Sequence, residues 1–536
     1  MARSITFRII FLFVMITLGS AGAEAQKRYV VYFEDKGTTP YKISEPAKFL
    51  SPRAIARRLK QEIPVTEADL PVDPSYVQQL KSSGIEVHFT SRWLNCALVQ
   101  TVLTDKDLES FPFVKSAAFV GTAAPATGRI KSTKARKQTG GAEATQRQLE
   151  MVGIDDMQAD DILGEGVLVA VLDAGFEGVN TAEPFQHLFT GNKINYVYDF
   201  AHRSGNVYAY DDHGTEVFSV MAANSSSFTG GAYNASFQLY VTEDDASEYP
   251  VEEFNWLFAA ERADSCGVDV IQSSLGYNTF DDYSLDYNKT TDLDGKTAII
   301  SKAAAAAIDR GIVVVCSAGN EAGNAWKTIT PPADVNGIIA VGAISSSGAK
   351  SPFSSIGPSS DGRFKPDVVA LGSGVSVVRP NGTNGFASGT SLSAPIVTSL
   401  VVGLIQKYPD IDPNTIAEKV ISTASQANHP DNSFGYGIPD YERVKASLEG
   451  MLPQDEISIY PNPTDTGKFS IRFKTTGVQA TIVIYDLNGR ILSSRTVDVI
   501  PSNNPIEISV ADLPASSYLV KVKTNDNFKA FRLVKL

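Results

Sequence analysis

The sequence predicts an α/β protein in which a mostly parallel sheet carries helices on both faces, preceded by a small α/β segment and followed by a small all-β sandwich. Three observations predict it. Val167–Leu172 and Val313–Cys316 are unbroken apolar runs, the pattern of strands buried on both faces. Ile396, Val397, Leu400, Val401, Leu404 and Ile405 recur at helical spacing and are apolar nearly all round, so this helix must lie inside a packed body. Beyond residue 455 the pattern changes to short alternating runs separated by turn residues, the signature of a small antiparallel sandwich.

Taken in order, Arg3 and Arg8 precede the apolar stretch Ile9–Ile16, and Ala23-Glu24-Ala25 offers a small-x-small cleavage site, so residues 1–25 read as an export signal. No other segment is expected to be long and apolar enough to span a bilayer. Residues 26–140 contain a small α/β segment, with strands at Tyr29–Phe33 and Ala97–Gln100 and a helix near Tyr76–Ser82. It ends in a linker where Arg129, Lys131, Lys134, Arg136 and Lys137 stand among Gly, Thr and Ala without apolar periodicity. There are 3 cysteines, and Cys266 and Cys316 beside apolar runs read as buried free thiols and not as a disulfide framework.

The chemistry is expected in residues 150–450. The first strand ends in Asp173, and a carboxylate at the buried carboxyl end of a parallel strand needs a positive or hydrogen-bonding partner. Asp211-Asp212-His213-Gly214-Thr215, followed by Val217, Val220 and Met221 at helical spacing, places His213 at the start of a helix. A third run ends in Ser317-Ala318-Gly319-Asn320, which puts an amide donor beside a glycine. Finally Gly389-Thr390-Ser391 crowds a serine against the start of the long apolar helix, whose first N–H groups have no intrahelical acceptor. Acyl transfer needs a nucleophile, a base, an acid that fixes the base's tautomer, and donors aimed at the oxyanion. All four residue types are present, in the order Asp, His, Asn, Ser.

In this order and these motifs the chain resembles a subtilisin-like serine protease of the subtilase family. The likeness extends to Ser273-Ser274-Leu275-Gly276, Ile339–Ala343, Phe353-Ser354-Ser355 and Asp361–Ala370, so it covers most of residues 150–450. Leu392 stands where the family usually has methionine and Leu371 where it usually has proline. The resemblance implies Ser391 as nucleophile, His213 as general base and then acid, Asp173 as the residue orienting the imidazole, and Asn320 as oxyanion donor. It also implies Ser274-Leu275-Gly276 and Ser317-Ala318-Gly319 as two walls of the primary specificity pocket, with free edges that pair with an extended peptide. Thr330, before Pro331-Pro332, falls at the pocket floor, where it would favour small or medium apolar side chains. By the same resemblance residues 26–140 are a propeptide and its linker, and the product is a secreted endopeptidase made as a zymogen. Structural calcium is implied by the family alone, since no carboxylate cluster has ligand spacing and Asp281–Asp294 reads as a solvated acidic loop. No metal or cofactor is expected in the chemistry.

After 455, Tyr460-Pro461-Asn462-Pro463, Tyr485–Arg490 and Phe531–Lys535 resemble the sorting domain of the type IX secretion system, with Ser516-Ser517-Tyr518 lacking the glycine usual two positions before the tyrosine. The implied partners are protein or peptide substrates and outer-membrane secretion machinery, with the chain a monomer outside the cell or on its surface. A net charge of -13 argues against nucleic acid or an anionic membrane as partner. The alternative is a non-catalytic surface-binding protein on the same fold.

Overall fold

The computed structural model describes residues 26–122, 142–451, 457–524 and 528–536, and the chain divides into two compact units between Lys445 and Ala446. The export signal and the basic linker fall outside the described residues.

The large unit begins with β1 (Lys27–Phe33), α1 (Pro52–Lys60), α2 (Pro74–Ser82), β2 (Glu86–Ser91), β3 (Cys96–Thr101), α3 (Asp105–Glu109) and β4 (Val114–Thr122). The strands pair antiparallel in the order β2-β3-β1-β4. Each of the first two helices has a side-chain cap followed by proline: Ser51 accepts from Ala54 N before Pro52, and Asp73 from Ser75 N before Pro74. Strand alternation splits β1 between two cores. Tyr29, Val31 and Phe33 pack on Leu80 of α2, whereas Val30 faces the rest of the large unit.

That remainder runs α4 (Ala142–Glu150), α5 (Ile154–Ala159), β5 (Leu168–Asp173), α6 (Gln186–Thr190), β6 (Ile194–Asp199), α7 (His213–Ala222), β7 (Asn224–Ser225), β8 (Phe228–Thr229), β9 (Ser236–Val241), α8 (Val251–Cys266), β10 (Val270–Ser273) and α9 (Ile299–Ile308). It continues with β11 (Val313–Ser317), β12 (Ile339–Ile344), β13 (Val368–Leu371), β14 (Val375–Val378), β15 (Asn384–Ala387), α10 (Thr390–Lys407), α11 (Pro413–Ser422) and the start of α12 (Tyr441–Met451), within which the division falls. Seven strands form one parallel sheet of order β13-β12-β11-β10-β5-β9-β6. Helices α7 and α10 cover one face, α8 and α9 the other, and the small antiparallel sheet lies over α8. Leu168, Ala170 and Leu172 point into the α8 layer, so alternation turns Asp173 toward α7 and α10.

Two expectations are corrected here. By length and composition α10 qualifies as a bilayer-crossing helix among the described residues, but 83% of it is buried as the core helix that packs against β10 to β13. The thiols of Cys96, Cys266 and Cys316 are all free, yet Cys266 is partly exposed, because it ends α8 and does not enter a strand.

The small unit holds β16 (Ile457–Tyr460), β17 (Lys468–Phe473), β18 (Val478–Tyr485), β19 (Ile491–Val499), β20 (Ile506–Ser509), β21 (Ser516–Lys523) and β22 (Phe528–Lys535). These form antiparallel sheets of order β16-β17-β20 and β19-β18-β21-β22 around a core that includes Phe469, Ile471, Ile482, Val520 and Leu533. The Asn488-Gly489 turn joins β18 to β19, with Gly489 N–H donating to Asp486 and Gly489 at a left-handed φ of 81°.

Candidate active site

Asp173, Ser274 and Asn320 all lie at or just past the carboxyl ends of adjacent parallel strands, and β5 sits where the strand order changes direction. This is the edge of an open α/β sheet at which ligands collect. Asp173 is fully buried and its Oδ1 lies 2.7 Å from His213 Nδ1 and accepts from Ala174 N at 2.8 Å. The contact requires α7 to start against β5. A β-carbon on Gly214 would come within 2.3 Å of the Gly175 carbonyl and 2.9 Å of Asp173 Cβ, so only glycine admits this approach. Asp211 Oδ1 accepts from His213 N at 2.5 Å and fixes the turn from the other side. Burial disfavours the His213 imidazolium, but Asp173, reinforced by Asp211 and Asp212, outweighs burial and raises its pKa to about 9.

Ser391 is the second residue of α10, and Pro395 within the same helix has a specific effect on it. Pro395 is four residues on and has no N–H, so the Ser391 carbonyl loses its helical partner. Ser274 Oγ replaces it, donating to Ser391 O at 2.7 Å, while Gln272 Nε2 donates to Ser274 Oγ at 2.8 Å and Thr398 of α10 closes the chain on Gln272 Oε1. The serine backbone is thus pinned to the end of β10. Asn320 is oriented from the same helix start. Its Oδ1 accepts from Thr390 N at 2.9 Å and from Thr390 Oγ1 at 3.0 Å, which turns the NH2 away from them. A methyl group on Gly389 would sit 3.7 Å from both Asn320 Nδ2 and Ser391 Oγ, so amide and hydroxyl border one small space.

A model of the subtilase family matches residues 164–437, more than half of the chain. The chain belongs to the subtilase family. Two further models match outside that core: a peptidase S8 propeptide domain of Bacteroidota over residues 28–139, and a secretion system C-terminal sorting domain over residues 458–535. Among relatives, Subtilisin NAT of Bacillus subtilis subsp. natto is 30% identical over 281 residues, 51% of this chain and 64% of that protein. Subtilisin DY of Bacillus licheniformis is 29% identical over 294 residues, 54% of this chain and 93% of that one. The chain thus spans just under two thirds of the length of the first of these relatives. The crystal structure of the epidermin leader peptide processing serine protease EpiP from Staphylococcus aureus shares the fold, with a TM-score of 0.53, 16% identity, and coverage of 79% of this chain and 99% of that one.

In this subtilase Gly276, Gly319 and Thr330 lie together. A β-carbon on Gly276 would lie 2.2 Å from Thr330 Oγ1, and one on Gly319 would lie 3.0 Å from the same oxygen, so Thr330 fills the space between the two glycines. Only one wall is a free edge, which corrects the expectation of two. Ala318 donates to Val341 O and accepts from Thr330 N, and Gly319 O accepts from Ser355 N, so Ser317-Ala318-Gly319 continues the sheet's own hydrogen bonding. Gly276 is exposed, and no described residue hydrogen-bonds the backbone of Leu275 or Gly276.

Ser355, part of the family-like segment, has a contact that the sequence does not disclose: its Oγ accepts from Glu321 N at 2.9 Å and lies 2.9 Å from a β-carbon placed on Gly319. Sequence reasoning also missed the part Ser274 plays behind Ser391, for which Pro395 was the available signal. Among the described residues no three His, Cys, Asp or Glu side chains come together as metal ligands.

Proposed function

We propose that this subtilase is a serine endopeptidase, exported as a zymogen, that cleaves peptide bonds through an acyl-enzyme on Ser391. His213 takes the Ser391 proton as the hydroxyl attacks the substrate carbonyl and returns it to the leaving amine. Asp173 holds the Nδ1–H tautomer and stabilises the imidazolium. The Asn320 NH2 and the Ser391 N–H receive the oxyanion, and both are set before substrate arrives because Thr390 and Ser274 fix them from behind. The observation that carries the reading is the 2.7 Å contact between Asp173 and His213 together with the Asn320 amide and Ser391 hydroxyl bordering one space.

An extended peptide would pair with the free edge at Leu275-Gly276 and place the side chain preceding the cut against Thr330, which favours small or medium apolar residues. Residues 26–122 act as the propeptide, and the C-terminal sandwich is a type IX secretion address that delivers the enzyme outside the cell. The test is casein hydrolysis by the purified full-length chain. Ser391→Ala should abolish it and leave residues 26–122 attached, whereas deletion of residues 455–536 should leave peptide hydrolysis unchanged and prevent export. Full activity of Ser391→Ala would overturn the reading.

A further inference from the structure

The face of α8 that the small antiparallel sheet covers carries a charge arrangement unlike the active site. Asp264 is 0% exposed, and three guanidinium groups reach it: Arg57 at 2.6 Å on Oδ1, with Arg58 at 2.8 Å and Arg92 at 2.6 Å on Oδ2. Two come from α1 and the third from the turn after β2, so they meet only at this carboxylate. Inside residues 26–122 one acid, Asp69, answers Arg58 at 2.9 Å, and its other oxygen accepts from Arg310 of the large body at 2.9 Å. One turn before Asp264, Glu261 accepts from the backbone N–H groups of Arg92 at 3.0 Å and Trp93 at 3.1 Å and from Ser91 Oγ. A buried cation that loses its anion costs far more than an exposed pair gains, so this pairing, more than contact area, sets which partner fits.

We propose that Asp264 is an arginine socket through which the catalytic body recognises residues 26–122 of this chain and keeps hold of them after the connecting chain is cut. The inference rests on the propeptide reading above. Its occupant is a helix bearing adjacent arginines, Arg57-Arg58, with a third arginine from the neighbouring turn. Another propeptide lacking that triad meets a buried, unpaired Asp264 and is rejected.

The test uses the full chain carrying Ser391→Ala and a specific-protease site inserted in the linker, so cutting does not depend on self-processing. After cutting, gel filtration at about 0.1 M salt and the dissociation rate of residues 26–122 are measured. The parent should retain the fragment, and Asp264→Ala should release it about 10²-fold faster or more. Arg57→Gln with Arg92→Gln, which leaves the body untouched, should do the same, so misfolding of the Asp264 variant cannot stand in for loss of the socket. Arg203→Ala, which removes only the exposed pair with Glu86, should change the rate less than about fivefold. Retention equal to the parent in both socket variants overturns the proposal. A wild-type chain that never sheds residues 26–122 would instead overturn the propeptide reading, with the cut chain still measuring the socket.

Discussion

Asp173 and Asp264 are both fully buried, yet the molecule surrounds them differently. Asp264 has both oxygens taken by arginines, an arrangement that is closed on the side of the acid. Asp173 has one histidine on Oδ1, no hydrogen-bond partner on Oδ2 among the described residues, and lies at a site whose remaining donors, the Asn320 NH2 and the Ser391 hydroxyl, border a shared space. The first pattern suits a contact that is made once and released; the second suits a charge that appears and disappears in every turnover. The difference is that of saturation against preorganisation: an open site keeps its donors aimed by tying down the atoms behind them.

That contrast can be broken at the donor itself. Asn320→Ala should lower kcat by about 10² to 10³ with little change in KM, because the amide is proposed to act on the transition-state oxyanion and not on bound substrate. An equal rise in KM with unchanged kcat would place Asn320 in substrate binding. The next effect lies at the pocket floor. Thr330→Gly removes the side chain between Gly276 and Gly319 and should raise kcat/KM for phenylalanine relative to alanine before the cut by about tenfold or more. A peptide library that shows no change would remove Thr330 from the pocket.

Ser274→Ala sharpens the comparison further, because it acts only from behind. It leaves the Ser391 carbonyl with neither its helical partner nor its replacement, at a cost of about 1–3 kcal/mol in stability. Thermal unfolding should shift down, and kcat should fall by about tenfold through misplacement of the serine. Ser274→Thr, which keeps the hydroxyl, should recover most of both. The smallest effect concerns pH. His213 must be neutral to act as base, so kcat/KM should rise with pH through its raised pKa of about 9. Asp211→Asn and Asp212→Asn each remove an anion that favours the imidazolium, so the acid limb should move to lower pH and activity at neutral pH should increase. A limb that stays in place, or moves up, would show that these carboxylates do not act on His213.

The same contrast explains what could be read from the chain. Asp173, His213, Asn320 and Ser391 were legible because each ends an apolar strand or begins an apolar helix, and such boundaries survive in one dimension. β1, β3 and α2 were found for the same reason. Helix α8 was not, because Glu252, Glu253, Glu261 and Asp264 are all buried and interrupt the pattern on every side. Their partners lie about 170 to 210 residues away in the chain for Glu261 and Asp264, beyond any local periodicity. The resemblance makes Ser274 part of a pocket wall along with its neighbours, while its hydroxyl turns inward to a carbonyl that Pro395 orphans. The free edge at Ser317–Gly319 is what the family resemblance implies, and the Thr330 and Ser355 segments that occupy it return only after the fold closes.

Ser391 is proposed as the nucleophile, and covalent labelling probes that role at the atom itself. The full-length chain, after shedding residues 26–122, is treated with a fluorophosphonate and the adduct is mapped by peptide mass spectrometry. A single adduct is expected on Ser391, absent in Ser391→Ala and strongly slowed in His213→Ala. An adduct on another residue, or undiminished labelling of Ser391→Ala, would contradict that role.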